Sequence, residues 1–162
     1  MIVADTSALV SLSTIDRLDR LLTGFDVHTT ATVVTELKET AEYEDTHATA
    51  ARAVLDRQDN LAVHQVEESI ESARIDAGEG SVVVFARKRD ADFLLTDDLR
   101  ALPELQAATE ARVAISPIVL RALLDCGVLD REDALADVEQ LATGEDWLDA
   151  PIYRRARKLF DE

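Results

Sequence analysis

The sequence predicts an α/β fold, a three-layer sandwich with a central parallel β-sheet flanked by α-helices. Three observations carry that expectation. Short apolar runs alternate along the chain with segments of helical period. One of them, Phe93-Leu94-Leu95, is continuously apolar, as a strand buried on both faces of a parallel sheet must be. The 162 residues, 47% of them hydrophobic, are enough to close one sizeable core. No repeat, low-complexity stretch or linker interrupts the pattern. A single domain over 1–162 is therefore expected, its C-terminal helices (about 117–162) packing on it or forming a partner or dimer surface.

The elements follow in order. Ile2-Val3-Ala4-Asp5 is an apolar run ending in an acid, a first strand. Ile15, Leu18, Leu21 and Leu22 keep a helical spacing that Gly24 stops. Phe25 to Thr29 reads as a second strand. Thr30 or Thr32 would cap a helix with Val33, Val34 and Leu37 inward. A polar helix covers 46–58, and Leu61 to Val66 alternates like a third strand. Asp76 opens a helix over 77–89 with Val83, Val84 and Ala86 inward, and the strand Phe93 to Leu95 comes next. A helix over about 99–109, a strand near Val113 to Ile115, and helices opened by Pro117, Asp130 and Pro151 complete the chain, the Pro117 helix ending at Gly127.

Composition narrows the function classes. No stretch approaches 18 consecutive apolar residues, and the opening MIVADTSALV lacks a basic region, so neither a membrane span nor a secretory signal is expected. The single cysteine, Cys126, makes no intrachain disulfide; lying among Leu123, Leu124 and Val128, it is expected to be a buried thiol in a reducing cytoplasm. Acids number 33 against 17 Lys and Arg, for a net charge of −16, and they are spread along the whole chain. Self-repulsion on that scale is a halophile's lever, silenced where salt shrinks the Debye length to about 3 Å near 1 M. The composition reads as adaptation to a salty cytoplasm, against the plainer alternative of an ordinary acidic protein.

The chemistry is expected where strands end. In open parallel sheets ligands gather beyond the carboxyl ends of the strands. Two strands end there in acids, at Asp5 and at Asp97-Asp98, and Glu36 and Glu79 sit near helix starts that open onto the same edge. Carboxylates without His or Cys make a hard-oxygen site suited to Mg²⁺ or Mn²⁺. Such an ion neutralises phosphate, acidifies bound water and aligns an in-line attack. Each acid also has a plainer reading: Asp76 to Glu79 fits a capping box, Asp97 or Asp98 a helix cap, and Glu36 a solvated helix position. Asp5 is harder to dismiss, because a carboxylate ending an apolar strand needs a partner.

The order of these acids resembles that of the PIN-domain family of metal-dependent ribonucleases, over nearly the whole chain. Its opening pattern is matched by Ile2-Val3-Ala4-Asp5-Thr6-Ser7, and its second element by Val33-Val34-Thr35-Glu36-Leu37. The third is matched by Asp76-Ala77-Gly78-Glu79 leading into Val82-Val83-Val84-Phe85-Ala86. The fourth is Phe93-Leu94-Leu95-Thr96 running into Asp97-Asp98-Leu99-Arg100-Ala101. The Gly-Glu and Asp-Asp versions resemble an archaeal and bacterial branch akin to VapC-like toxin nucleases. The resemblance implies catalytic roles for Asp5, Glu36, Glu79 and Asp98, and metal binding by Asp5, Glu79, Asp97 and Asp98. Thr6, Ser7 and Asp76 would support them. The implied activity is hydrolysis of an RNA phosphodiester with Mg²⁺ or Mn²⁺. RNA is the implied substrate, and a cognate antitoxin and a homodimer are the implied protein partners. Many relatives carry Asp where Glu79 stands, and the Thr-x-Asp register favours Asp98 over Asp97.

Cations near these elements offer phosphate contacts: Arg87, Lys88, Arg89 and Arg100. For the first three a helix C-terminus is the competing explanation. Arg154, Arg155, Arg157 and Lys158 read first as a solvated helix face. His28, His47 and His64 lack ligand spacing and read as strand or surface histidines. Trp147 reads as a packing residue, and the Ile152, Ala156, Leu159, Phe160 stripe as core first and partner contact second. The rivals to a nuclease are a binding module on the same fold and, less favoured, a phosphotransfer domain, for which Ser7 stands where a second Asp is needed.

Overall fold

In the computed structural model, which describes residues 1–161, the chain is α/β. Five strands form one all-parallel sheet: β1 (Ile2–Ala4), β2 (Val27–Thr30), β3 (Ala62–His64), β4 (Phe93–Leu95) and β5 (Arg112–Ala114). Their spatial order is β3-β2-β1-β4-β5. The chain builds outward from β1 through β2 to β3, then returns to lay β4 against β1's other side. The topological switch point, where ligands collect in such sheets, therefore falls between β1 and β4.

The helices of this part are α1 (Thr6–Thr14), α2 (Leu18–Gly24), α3 (Ala31–Thr40), α4 (Thr46–Asp56), α5 (Ala77–Lys88) and α6 (Leu102–Ala108). Their starts are written in the sequence. Asp5, Thr30, Asp45 and Asp76 each accept a backbone N–H from the first turn of the helix that follows. Helix α5 packs on β1, β2 and β4, and α3 packs on α5 and on α4. Val3, Ala4, Leu94 and Leu95 in the central strands are buried, with Leu9, Leu12, Val33, Leu37, Val82 and Val83 from the helices around them.

The chain divides into two compact units, Met1–Ala114 and Ile115–Glu162. The second holds three helices: α7 (Ser116–Asp125), α8 (Arg131–Gly144) and α9 (Pro151–Lys158). Helix α8 packs on both α7 and α9, and Leu120, Leu123, Val138, Leu141, Ala156 and Phe160 are buried. Trp147 is buried as expected. No helix among the described residues is long and apolar enough to cross a membrane.

Three expectations need correction. Helix α1 had no counterpart in the sequence reading, because Ala8 to Leu12 are buried on every side and show no apolar stripe. Cys126 is exposed, not buried: it sits at the C-terminal cap of α7, one residue before the positive-φ turn at Gly127. Helix α6 starts at Leu102, with residues 97–101 in irregular backbone around Asp98.

Candidate active site

Asp5 ends β1 at the switch point. Its backbone N–H bonds the Leu95 carbonyl at 3.0 Å, continuing the ladder to β4. Its side chain turns back to cap α1, where Oδ1 accepts from the Ala8 N–H at 3.0 Å and from Ser7 Oγ at 2.7 Å. Oδ2 accepts from Thr96 Oγ1, at the end of β4. Asp5 is only 2% exposed, and burial pushes its carboxyl up to about 7 against the pull of those three hydrogen bonds, with the charge of Asp97 adding to the rise.

The two hydroxyls beside Asp5 tie it to the acid pair. Ser7 Oγ accepts from the Asp97 N–H at 2.9 Å, and Thr96 Oγ1 from the Asp98 N–H at 3.2 Å. Asp97 is buried. Asp98 is half-buried, and its Oδ1 accepts from the Arg100 and Ala101 N–H groups at 2.9 and 3.3 Å. Asp98 therefore does not cap α6, whose N-cap is Ala101 without a side-chain bond; it closes the turn over Arg100 and Ala101, and that turn holds its carboxylate beside the site.

Glu79 and Asp76 form a reciprocal capping box at the start of α5, with Glu79 N–H to Asp76 Oδ1 at 2.9 Å and Asp76 N–H to Glu79 Oε2 at 3.0 Å. The box does not exhaust Glu79. Burial pushes its carboxyl up to about 8, helped by the charges of Asp76 and Asp5 and by a hydrogen bond shared with Asp98. Glu79 thus lies close enough to Asp5 to feel its charge and close enough to Asp98 to share a hydrogen bond.

Glu36 reaches the same edge from α3. Its Oε2 accepts from Thr6 Oγ1 at 2.5 Å and its Oε1 from the Gly78 N–H at 2.9 Å. Its carboxyl is raised by burial above all, with Asp76 and Glu39 contributing. Thr6, Ser7 and Asp76 therefore each hold a neighbouring carboxylate. Thr96 and Gly78 belong with them and were missed as site residues. Their signals were a hydroxyl at the end of an apolar strand and a glycine directly before the acid of a capping box.

Of the cations, Arg100 stands beside Asp98 and is exposed. Arg87, Lys88 and Arg89 lie at the other end of α5, where the rise from Glu79 to Lys88 amounts to about 13 Å. They are engaged there, by the Ala108 carbonyl, by Glu68 at 3.8 Å and by the Phe85 ring at 5.6 Å.

The donor set is all carboxylate oxygen, the chemistry of a hard divalent ion and not of zinc. Asp5 Oδ2 and both Glu36 oxygens accept one hydrogen bond each and keep lone-pair capacity, whereas Asp5 Oδ1 and Asp98 Oδ1 already accept two. Two carboxyls pushed up to about 7 and 8, by burial first and by neighbouring acids second, mark a place where a cation would favour the charged form. As the side chains stand, no three His, Cys, Asp or Glu among the described residues close around one point. The residues fit such an ion by chemistry, with side chains still to be drawn inward.

A second polar cluster lies across β2 and β3. Asp26 Oδ1 meets His28 Nε2 at 2.8 Å, and His28 Nδ1 meets His64 Nε2 at 2.8 Å. Both rings stack with Phe85 of α5. Burial, with the His28 and Arg89 charges, holds the His64 imidazole below its usual range. These are strand histidines, paired with each other.

Fold and acid edge together define an α/β domain with its carboxylates gathered at the sheet's switch point. The family model DUF3368, described as a PIN domain, matches residues 1–162, and the chain belongs to the PIN-domain family. No curated protein and no solved structure matches it. PIN domains are typically nucleases that use divalent metals.

Proposed function

We propose that the protein is a Mg²⁺- or Mn²⁺-dependent endoribonuclease that hydrolyses RNA phosphodiester bonds. The observation that carries this reading is the gathering of Asp5, Glu79 and Asp98 at the switch point, where burial above all, with the Asp76 charge, the Asp98 hydrogen bond and the Asp5 charge, pushes the Glu79 carboxyl up to about 8. Asp5, Glu79, Asp98 and Asp97 would hold the ion, which when bound would neutralise phosphate charge and lower the pKa of a coordinated water. Ser7 and Thr96 fix Asp5 in one rotamer and tie it to the backbone of residues 97 and 98. Glu36, held by Thr6 and Gly78, keeps a raised carboxyl at the same edge, where it can take a proton from the attacking water. Arg100 offers a phosphate contact beside the acids. Arg87, Lys88 and Arg89 would meet only RNA running down α5.

The protein would act in the cytoplasm of a salt-adapted cell, as the toxin of a toxin–antitoxin pair or as a processing nuclease. A homodimer and an antitoxin complex belong to the toxin form of this reading. One observation favours a second reading, a PIN-fold binding module: Asp5, Glu36, Glu79 and Asp98 already accept hydrogen bonds from the protein, and among the described residues no three acids converge. Cleavage of labelled mixed-sequence RNA in high salt, with Mn²⁺ or Mg²⁺ against EDTA and beside Asp5→Asn, separates the two. Metal-dependent cutting lost in the variant is the expected result. A folded protein that neither cuts nor gains thermal stability from Mn²⁺ is the binding module.

A further inference from the structure

We propose that the outward face of α9, carrying Arg154, Arg155 and Lys158, is a docking surface for the phosphate backbone of single-stranded RNA. Helix α9 is an exception in this chain. Four of its eight residues are Arg or Lys and none is acidic, in a protein whose net charge is −16. One of the four is accounted for internally: Arg157 lies 3.7 Å from Glu139 and over the Tyr153 ring, whose hydroxyl also bonds Glu139. Arg154, Arg155 and Lys158 are exposed, and among the described residues no ion pair engages them.

Their placement is that of a face. Arg154 and Lys158 are one turn apart on the same side, with Arg155 adjacent. Ala156, on the opposite side, is buried. Cations favour a helix's last turn through the macrodipole, which accounts for Arg155 and Lys158 but not for Arg154, which precedes that turn. Three like charges within about one turn repel one another, and among the described residues no acid is set against them.

The chemistry of the face selects a polyanion. Guanidinium forks match phosphate oxygens two at a time. The exposed positions of α9 are Pro151, Arg154, Arg155, Arg157 and Lys158, so the face lacks the apolar centre that a protein partner would need. Its one aromatic, Tyr153, is half-buried and tied to Glu139, so the face offers backbone contact and no base stacking. By contrast, Arg87, Lys88 and Arg89 are engaged within the first unit. That the polyanion is RNA rests on the ribonuclease reading above.

The test is fluorescence anisotropy of a labelled single-stranded RNA titrated with the full chain in EDTA, over a series of salt concentrations. Losing three phosphate contacts should lower the slope of log K against log salt by about 2, and so weaken binding about 100-fold at 0.1 M salt with convergence near 1 M. R154Q/R155Q/K158Q should show that loss, and R154K/R155K, which keeps the charge, should not. R20Q/K38Q/R112Q removes the same charge elsewhere and should leave the slope near the wild-type value. Equal loss in both triple variants, wild-type binding by the α9 variant, or no RNA binding by the wild type overturns the proposal. So does a change confined to oligomeric state, which would assign the face to an acidic protein surface. RNA binding that depends on α9 in a chain that never cleaves would sink the nuclease reading and leave this one standing.

Discussion

The carboxylate of Glu36 rests against Gly78 so closely that a Cβ at residue 78 would stand 2.2 Å from Oε2 and 2.5 Å from Cδ and Oε1. Only a glycine lets the first turn of α5 present its N–H to that oxygen. The obstacle is the tip of a flexible side chain, so Gly78→Ala is expected to fold and to displace Glu36. Cleavage should fall about tenfold or more, the scale of one charge-assisted hydrogen bond. In a Glu36→Ala background the three atoms nearest that Cβ are gone, and the same substitution should raise Tm, since Ala favours a helix over Gly by about 0.5–1 kcal/mol. A Tm change of the same sign in both backgrounds would refute the coupling. At Gly80 a Cβ would meet the Ile70 backbone carbonyl at 1.9 Å, and Gly80→Ala should lose its cooperative melt.

Raised carboxyls make stability depend on pH in an unusual direction. Asp5 and Glu79 are pushed up to about 7 and about 8, whereas in the unfolded chain both lose their protons near pH 4. Between those limits the folded state binds more protons than the unfolded state, so stability falls as pH rises. Without divalent ions, Tm should decline from pH 5 to pH 8 and level off above. Asp5→Asn and Glu79→Gln should flatten the decline. Mn²⁺ competes with the protons and should raise Tm more at pH 8 than at pH 5. A Tm flat in pH without metal would show the crowding to be absent.

Thr96 serves two acids through one oxygen, donating to Asp5 Oδ2 and accepting from the Asp98 N–H. Thr96→Val keeps the shape and deletes both bonds. A hydrogen bond to a charged group contributes about 1.5–3 kcal/mol, so cleavage should fall roughly 10- to 100-fold. Thr96→Ser should retain most activity. Equal rates for Val and Ser would show that the hydroxyl does not orient Asp5.

A net charge of −16 should make the fold salt-dependent. Raising KCl from 0.1 M to 1 M shortens the Debye length from about 10 Å to about 3 Å. Tm measured over that range should climb, whereas a protein without the self-repulsion would show little change.

Much of this was legible in sequence because strands and caps are local. Asp76 and Glu79 announce their box within four residues, and Phe93-Leu94-Leu95 announces a central strand. What stayed hidden was relational. Helix α1 carries no stripe because it is enclosed on all sides, and Cys126 was misplaced by the apolar character of neighbours that face elsewhere. Val128, one of them, is itself 43% exposed. Gly78 beneath Glu36 and His28 against His64 are products of sheet order, separated by 42 and 36 residues in sequence. The acids and the hydroxyls of Thr6 and Ser7 could be expected at one edge from the chain alone, but Thr96 and Gly78, which also aim them, could not.

The return of the chain from β3 to β4 has a consequence in time. Asp5 is made before the rest of the acid edge: its partner Thr96 lies 91 residues later, and Asp97 and Asp98 follow it. Domains grow from the N-terminus during synthesis. A ribosome-bound chain holding β1, β2 and β3 can pair those three strands and still carry no complete acid edge. The edge closes only when β4 leaves the ribosome and docks along the free side of β1. On the ribonuclease reading proposed above, a nascent chain would be silent toward the RNA around it, including the message it is being read from, until β4 has been made.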